Sequence, residues 1–142
     1  MGAYRFTDKC LCTPEMKKIA SFLILVLWGC SHPSPEEMAS LAAKGYYDHL
    51  VSGEYELFLE GMDRRELMNE VNFRSQLIDN YRQFKAEQDS AHGGIREVRI
   101  VRASTDSVQK FTNVFLMLCF GDSTNEEIVV PMVERNGSWR MK

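Results

Sequence analysis

The chain has 142 residues, of which 44% are hydrophobic and 26% are charged, and its formal net charge at pH 7 is −3. This length is enough for one domain to bury a hydrophobic core. The slight excess of acidic residues argues against binding to nucleic-acid phosphates, so we expect no nucleic-acid partner. No Gly-rich phosphate loop, His-Glu-x-x-His motif or Gly-x-Ser-x-Gly motif occurs, and the sequence therefore predicts neither a metal nor a cofactor.

The first predicted element is a short apolar segment that begins well inside the chain. Met16 is followed by Lys17 and Lys18, and residues 19–28 are uncharged and almost wholly apolar. A helix that crosses a bilayer needs about 20 apolar residues, so this run is too short to span one. No polar face interrupts it, which argues against a buried core helix. A basic start before a short apolar run is typical of a secretory signal peptide.

Leu27-Trp28-Gly29-Cys30 closes this segment and resembles the lipobox of bacterial lipoproteins, although Trp28 stands where a small residue is usual. The resemblance implies cleavage before Cys30 and acylation of its sulfur, and several acyl chains anchor a protein stably in a membrane. Ser31 at the next position implies an outer-membrane destination. We therefore interpret the chain as an untranslated upstream extension (1–15), a lipoprotein signal peptide (16–29), a lipidated tether (30–35) and one domain (36–142).

Cleavage before Cys30 changes the charge and the cysteines of the mature protein. Four basic and two acidic residues leave with residues 1–29, so 13 basic and 18 acidic residues remain. Cys10 and Cys12 also leave, and Cys119 is then the one thiol in the domain. No internal disulfide can form, and the apolar neighbours of Cys119 predict a core side chain.

Three helices are predicted to follow the tether. Ser34, Pro35 and Glu37 form a capping box with proline at the first helical position, and Gly53 ends this helix. Small or apolar residues then recur with the spacing of one buried helix face, at Met38, Leu41, Ala42, Gly45, Tyr46, His49 and Leu50. A short second helix is predicted in residues 54–62. A long third helix is predicted to start at residues 63–66, to end within residues 88–94, and to carry a stripe of Phe73, Leu77, Tyr81 and Phe84.

Beyond Gly94 the hydrophobic period changes from helical to extended. Strands are predicted at residues 95–103, 110–120, 127–134 and 138–142, with the first turn at residues 104–107 and Asn136-Gly137 in the last. This is a four-strand antiparallel meander. Both faces of the second strand are apolar, as expected of a central strand that is covered on each side. Pro131 predicts an edge or a bulge in the third strand.

Two segments carry a further resemblance, "YYDHLVSGEYELFLEGM" at residues 46–62 and "VVPMVERNGSWRMK" at residues 129–142. Together with helices that precede a bent sheet, they resemble the small NTF2-like (cystatin-like α+β) lipoproteins of Bacteroidetes, the DUF4878-type group. The resemblance implies N-terminal helices packed on a curved antiparallel four-strand sheet, with a pocket at the wide end of the resulting cone. It implies no general reaction and no catalytic residue.

Candidate pocket residues follow from this arrangement. Tyrosines beside an apolar cavity orient small polar groups, and His49 on the apolar face of the first helix could act as a general base. Asp48 points about 100° away around the helix and forms no ready dyad with it. Trp139 is expected to pack on the concave sheet against Tyr46 or Tyr81. The full candidate set is Tyr46, Tyr47, His49, Tyr81, Phe84 and Trp139, and ordinary core packing is the competing interpretation for each.

Two functions fit these features. The first is a non-enzymatic, lipid-anchored protein of the bacterial cell envelope, whose partners are the membrane through Cys30, a small apolar or amphipathic ligand or a protein, and a second copy of the chain through the sheet. The second is a small-pocket enzyme of the isomerase or dehydratase type. A carboxyl group with a raised pKa beside Tyr46 or Tyr81 would favour the enzyme. A filled cone would favour the binding protein, which is the function we expect.

Overall fold

The computed structural model describes residues 32–64 and 70–142. The helices are α1 (Pro35–Ser52), α2 (Tyr55–Glu60) and α3 (Val71–His92), and the strands are β1 (Ile95–Asp106), β2 (Phe111–Phe120), β3 (Asn125–Arg135) and β4 (Ser138–Met141). The sheet is antiparallel with the order β1-β2-β3-β4, so the predicted α+β class and the meander are confirmed. No described helix is long and apolar enough to cross a membrane. The predicted signal peptide and Cys30 lie outside the described residues.

Helix α1 begins and ends where the sequence predicts. The Ser34 hydroxyl accepts a hydrogen bond from the amide of Glu37 at 3.1 Å, and Pro35 lies in the first turn, where its missing N–H costs nothing. Gly53 follows the last turn with a φ of 78°, a left-handed conformation that glycine adopts readily.

The buried face of α1 is rotated from the predicted one. Ala39 and Ala43 are fully buried, whereas Met38 and Leu41, which we expected in the core, are 42% and 59% exposed. The periodicity of apolar residues predicts the spacing of a buried stripe along the helix. Two neighbouring stripes of α1 carry apolar residues, so the periodicity does not show which of them is buried. The sheet is covered by the stripe with the small alanines, because their short side chains let the helix lie close to it. Leu50 is buried as predicted.

The chain after α2 joins the helices to the last strand. The Met141 amide donates to the carbonyl of Gly61 at 2.7 Å, and the Asp63 amide donates to the carbonyl of Met141 at 2.8 Å. Met62 thereby pairs with Met141 in a parallel bridge. The Arg135 guanidinium lies 3.2 Å from the Asp63 carboxylate. This segment therefore occupies the free edge of β4.

Helix α3 ends within the predicted range, at His92. Gly93 and Gly94 follow with φ values of 71° and 81°, which turn the chain directly into β1. His92 Nδ1 lies 2.9 Å from a carboxylate oxygen of Asp122 in the β2–β3 turn. The start predicted at residues 63–66 is wrong, because Glu70 is extended and the helix begins after it, at Val71.

Strand β1 is longer than predicted and carries register shifts near Arg96 and Val101. It continues to Asp106, and the turn occupies residues 107–110 rather than 104–107. The Asp106 carboxylate accepts hydrogen bonds from the amides of Val108 and Gln109, each at 2.9 Å. Side-chain bonds of this kind fix a turn two residues beyond the aspartate, which explains the displaced turn.

Pro131 lies in β3 next to the end of β4, so that the part of β3 beyond it is paired on one side only among the described strands. Its carbonyl accepts a hydrogen bond from the amide of Lys142, just past the end of β4. Since N–H and C=O of one residue in an antiparallel strand point to the same side, the missing N–H of Pro131 faces the end of that short strand. Beyond this point residues 125–130 of β3 pair with β2 alone among the described strands. The predicted edge position is confirmed for this half of the strand.

The two faces of β2 have different surroundings. On the inner face Val114, Leu116 and Leu118 are buried and belong to the same core cluster as Ala39 and Phe58 of the helices. The outer face carries side chains that are half-buried and lie outside that cluster, at Phe111, Phe115, Met117 and Cys119. Helices thus cover one face of the central strand, and the prediction of Cys119 as a core side chain was wrong.

Cationic side chains lie over the outer aromatic rings. The Arg102 guanidinium carbon is 3.4 Å from the centre of the Phe115 ring, and the same group reaches Glu127 of β3 at 3.6 Å. Lys142 Nζ lies 4.9 Å from the centre of the Phe111 ring. A cation is attracted to the face of an aromatic ring. The two cationic side chains therefore shield the Phe115 and Phe111 rings from water in part.

We expect Gly61→Ala to destabilise the protein, because a β-carbon at this position would lie 2.5 Å from the Tyr46 ring. Forcing a methyl group into a packed site costs about 1–3 kcal/mol. Gly45→Ala is the matched control, since a β-carbon there meets nothing within 4 Å and alanine favours a helix by about 0.5–1 kcal/mol over glycine. Urea unfolding measures both changes. Equal stability of the two variants would contradict the close contact of Gly61 with Tyr46.

Candidate functional site

The interior of the helical layer is occupied by an aromatic cluster, which we define as Tyr47, Phe58 and Tyr81. Tyr47 of α1 meets Phe58 of α2 edge to face, with ring centres 5.6 Å apart. Phe58 meets Tyr81 of α3 in the same way at 4.8 Å. Phe58 is only 3% exposed. One ring from each helix therefore fills the space where the three helices meet, and such pairs contribute about 0.5–1.5 kcal/mol beyond their buried area.

Burial raises the pKa of both tyrosines of this cluster above its ordinary value. It raises the pKa of Tyr47 to about 12, and the nearby phenol of Tyr81 adds to the increase. Burial also raises the pKa of Tyr81. A low-dielectric environment disfavours the charged phenolate, so at neutral pH both hydroxyls can donate a hydrogen bond to a neutral acceptor group.

Tyr46 and Trp139 lie together, as the sequence predicts. Both rings are packed against other residues, so neither faces an open pocket. The Tyr46 hydroxyl donates to the main-chain carbonyl of Trp139 at 3.0 Å, while its ring lies against Gly61. Trp139 shares the inner face of β4 with Met141 and packs half-buried against the core. The pair fastens α1 to the last strand and has the character of a structural contact.

Phe84 lines a small hollow with Leu50, Val51, Lys85 and Ile95, and the free volume inside it is about 10 Å³. A hollow of this size holds at most one water molecule. Phe84 is therefore placed at the junction of α1, α3 and β1, where it packs against the core, and this hollow offers no room for a larger ligand.

His49 lies in the last turn of α1 and is partly exposed at the surface. Its Nδ1 is 2.6 Å from a carboxylate oxygen of Glu54, and its side chain is 39% exposed. A carboxylate at Nδ1 favours the tautomer in which Nε2 is free to accept a proton. Glu54 also lines a shallow groove of about 290 Å³ with Tyr55, Leu57, Ile78 and Arg82. The structure thus places His49 next to a polar surface groove, whereas the sequence placed it on the apolar face of the helix.

The carboxyl groups whose pKa values depart from normal in the described residues are all shifted downward. A hydrogen bond from Thr105 lowers the pKa of Glu36, and one from Arg99 lowers that of Glu97. The hydroxyl of Thr124, followed by His92, lowers the pKa of Asp122 to about 2. These groups are ionised at neutral pH. Within residues 32–64 and 70–142, no three metal-ligating side chains lie close enough to hold an ion.

The outer face of the sheet is an apolar feature that the predicted site residues do not include. It comprises the outer row of β2 and Val129 of β3, which is 51% exposed and pairs with Phe115. The sequence signal for this face was the apolar character of β2 on both sides. We interpreted it as full burial, because a sequence does not show which face the helices cover.

The fold is similar to that of a solved structure. A crystal structure described as an NTF2-like transpeptidase from Campylobacter jejuni matches with a TM-score of 0.54 and 18% sequence identity, over 70% of this chain and 92% of that chain. The chain therefore has an NTF2-like fold, and at this identity the likeness extends to the fold alone. No family model matches the chain. No curated protein matches it either.

We expect an alkaline absorbance titration to show one tyrosine that ionises at a pH of about 12, and Tyr47→Phe should remove this last phase. Because the folded state raises the pKa of this phenol, its contribution to stability is complete below the ordinary value of 10 and is lost as the pH rises towards the folded value. The unfolding free energy of the native protein should fall over this range more steeply than that of Tyr47→Phe. A variant that loses amplitude near pH 10 and keeps the late phase would contradict the burial of Tyr47.

Proposed function

We propose that this chain is a lipid-anchored protein of the bacterial cell envelope, and that its NTF2-like domain is a binding module and not an enzyme. We further propose that it belongs with the DUF4878-type lipoproteins of Bacteroidetes. The main observation in support of a binding function is that apolar side chains of the central strand lie outside the core, on the outer face of the sheet. Its proposed partner is a second copy of the chain.

The apolar side chains of this outer face are suited to packing against a second sheet. Phe115 and Val129 are direct neighbours on adjacent strands, and Met117 and Cys119 extend the row along β2. Contiguous apolar side chains on a folded surface commonly mark interaction sites. Paired sheets bury such rows against each other at a spacing of about 10 Å.

The charged side chains of this face form ion pairs, and one of these side chains lies over its central strand, where Arg102 covers the Phe115 ring. Arg102 reaches Glu127 across β2, and Arg99 bonds to Glu97 at 2.6 Å. These pairs lie on the outer side of the strands. A second copy would therefore meet apolar side chains interspersed with ion pairs of balanced charge, and aromatic side chains, methionine and arginine are enriched in protein interfaces.

The aromatic cluster supports binding within the domain as a secondary proposal. Tyr47 and Tyr81 can donate hydrogen bonds to a small apolar or amphipathic ligand that displaces part of the ring packing. The alternative function, an isomerase or dehydratase, is favoured by the contact of His49 with Glu54. It also requires a carboxyl group with a raised pKa beside the tyrosines, and the shifts in the described residues are in the opposite direction.

The lipid anchor and the proposed outer-membrane location rest on the segment from Met16 to Ser31. We expect Cys30→Ala to abolish acylation, because the acyl groups attach through the sulfur of that residue. Metabolic labelling with a fatty-acid analogue measures this. Cys119→Ala is the matched control and should be labelled like the native protein. Equal labelling of Cys30→Ala and the native protein would refute the lipid anchor and leave the NTF2-like fold untouched.

We expect Val129→Glu to dissociate a dimer of residues 31–142, because it places a charge in the centre of the apolar outer face. Val129 is 51% exposed, so the folded monomer should lose little stability, within about 0.5 kcal/mol. Val108→Glu makes the same change at a side chain that is 91% exposed in the β1–β2 turn, and it should leave the dimer intact. Analytical ultracentrifugation measures the mass. A native protein that is monomeric at all concentrations would refute the self-association.

A further inference from the structure

The side chains on the outer face of the sheet form rows that run across β1, β2 and β3. The pairing of the three strands brings one outer side chain of each strand to the same level, and successive rows lie about 7 Å apart along β2. Two rows near the middle of the sheet matter here. We call them the central rows, and they are Arg102, Phe115 and Val129 in the first and Arg99, Met117 and Glu127 in the second.

Charge in the central rows is sorted by strand. β1 contributes two arginines, β2 contributes uncharged side chains, and β3 contributes Glu127. Arg99 already bonds to Glu97 on its own strand. The guanidinium of Arg102 lies 3.6 Å from Glu127, which is too far for a hydrogen bond. The central rows therefore have a positive side at β1 and a negative side at β3, and the ion pair between them leaves hydrogen-bonding capacity unused.

This distribution of charge distinguishes between the ways in which two copies can pack face to face. Copies that share one surface are related by a two-fold axis, which here lies between the two sheets. An axis along β2 places β1 of each copy over β3 of the other, and it brings Arg102 of one copy to Glu127 of the other. An axis across the strands places β1 over β1 and β3 over β3. Like charges then face each other, which weakens association.

We propose that the second copy docks with the two-fold axis along β2, so that Arg102 of each copy pairs with Glu127 of the other copy. This orientation rests on the proposed self-association through the outer face. Arginine suits such a position, because its planar guanidinium can stack on a ring and bond a carboxylate at the same time. Arg102 already lies over the Phe115 ring, so the second copy has only to supply the carboxylate.

The turns at the two ends of β2 report the direction of the axis. Val108 in the β1–β2 turn is 91% exposed, and Ser123 in the β2–β3 turn is also exposed. The two turns are separated by the length of β2, about 30 Å. With the axis along β2, each turn lies within about 20 Å of its counterpart in the other copy. With the axis across the strands, the two distances sum to at least about 60 Å, so one of them is at least about 30 Å.

The first test measures these two distances in residues 31–142. Residues 33–142 form a compact unit that contains the whole described core. A nitroxide is attached to p-acetylphenylalanine, which replaces Val108 in one protein and Ser123 in another, so that Cys119 stays unmodified. Dipolar electron paramagnetic resonance measures the distance between the two labels of a dimer, and analytical ultracentrifugation measures the mass.

We expect both distances to be short, at about 20 Å or less. A dimer with a distance above about 25 Å at either turn would overturn the orientation and leave the self-association intact. Protein that is monomeric at all concentrations would refute the self-association, and the orientation with it.

The second test reverses the charge of Arg102. Arg102→Glu places a carboxylate opposite Glu127 of the other copy and should raise the dissociation constant of the dimer at least about tenfold. Arg102→Glu combined with Glu127→Arg should restore it. Arg82→Glu is the matched control, because it makes the same change of charge and removes an ion pair on α3, with Asp79, and it should leave the dimer unchanged. A dissociation constant that Arg102→Glu does not alter would overturn the pairing of Arg102 with Glu127.

Discussion

The alternation of side chains along β2 is the constraint on which the rest of the structure depends. As the second strand of a four-strand meander, β2 is paired on both sides, so its inner row lies under the helices and its outer row points away from them. Val114 and Leu116 are fully buried, and the short side chains of Ala39 and Ala43 bring α1 down onto this inner face. The described helices cover only one face of the sheet. An apolar outer row remains outside the core, and it is the surface on which we propose that a second copy packs.

The helices are held to the sheet by the chain between α2 and α3. Gly61 bonds to Met141 and lets the Tyr46 ring approach, while the hydroxyl of that ring bonds to the carbonyl of Trp139. With the helices fastened to β4 in this way, the aromatic cluster around Phe58 fills the space between them. The filled interior supports the proposal that the domain binds a partner at its outer face.

The sequence predicts those features that neighbouring residues determine. Ser34, Pro35 and Gly53 set the bounds of α1 through their own hydrogen bonds and φ angles, and the period of two in β2 identifies its rows. Features set by distant contacts were missed. Met38 and Leu41 are exposed because contact with the sheet fixes the rotation of α1, and Phe58 is central because three helices converge on it. Of the candidate site residues, Tyr46 and Trp139 were placed together correctly, whereas His49 lies at a polar surface with Glu54.

Cys119 offers the most direct measurement of the central claim, that a second copy covers the outer face. The thiol is half-buried on that face, and its rate of reaction with a neutral thiol reagent can be followed by mass spectrometry of its peptide as the protein concentration is raised. We predict a rate that falls as copies pair, because pairing removes the sulfur from solvent. A rate that stays constant from the most dilute to the most concentrated sample would contradict the claim.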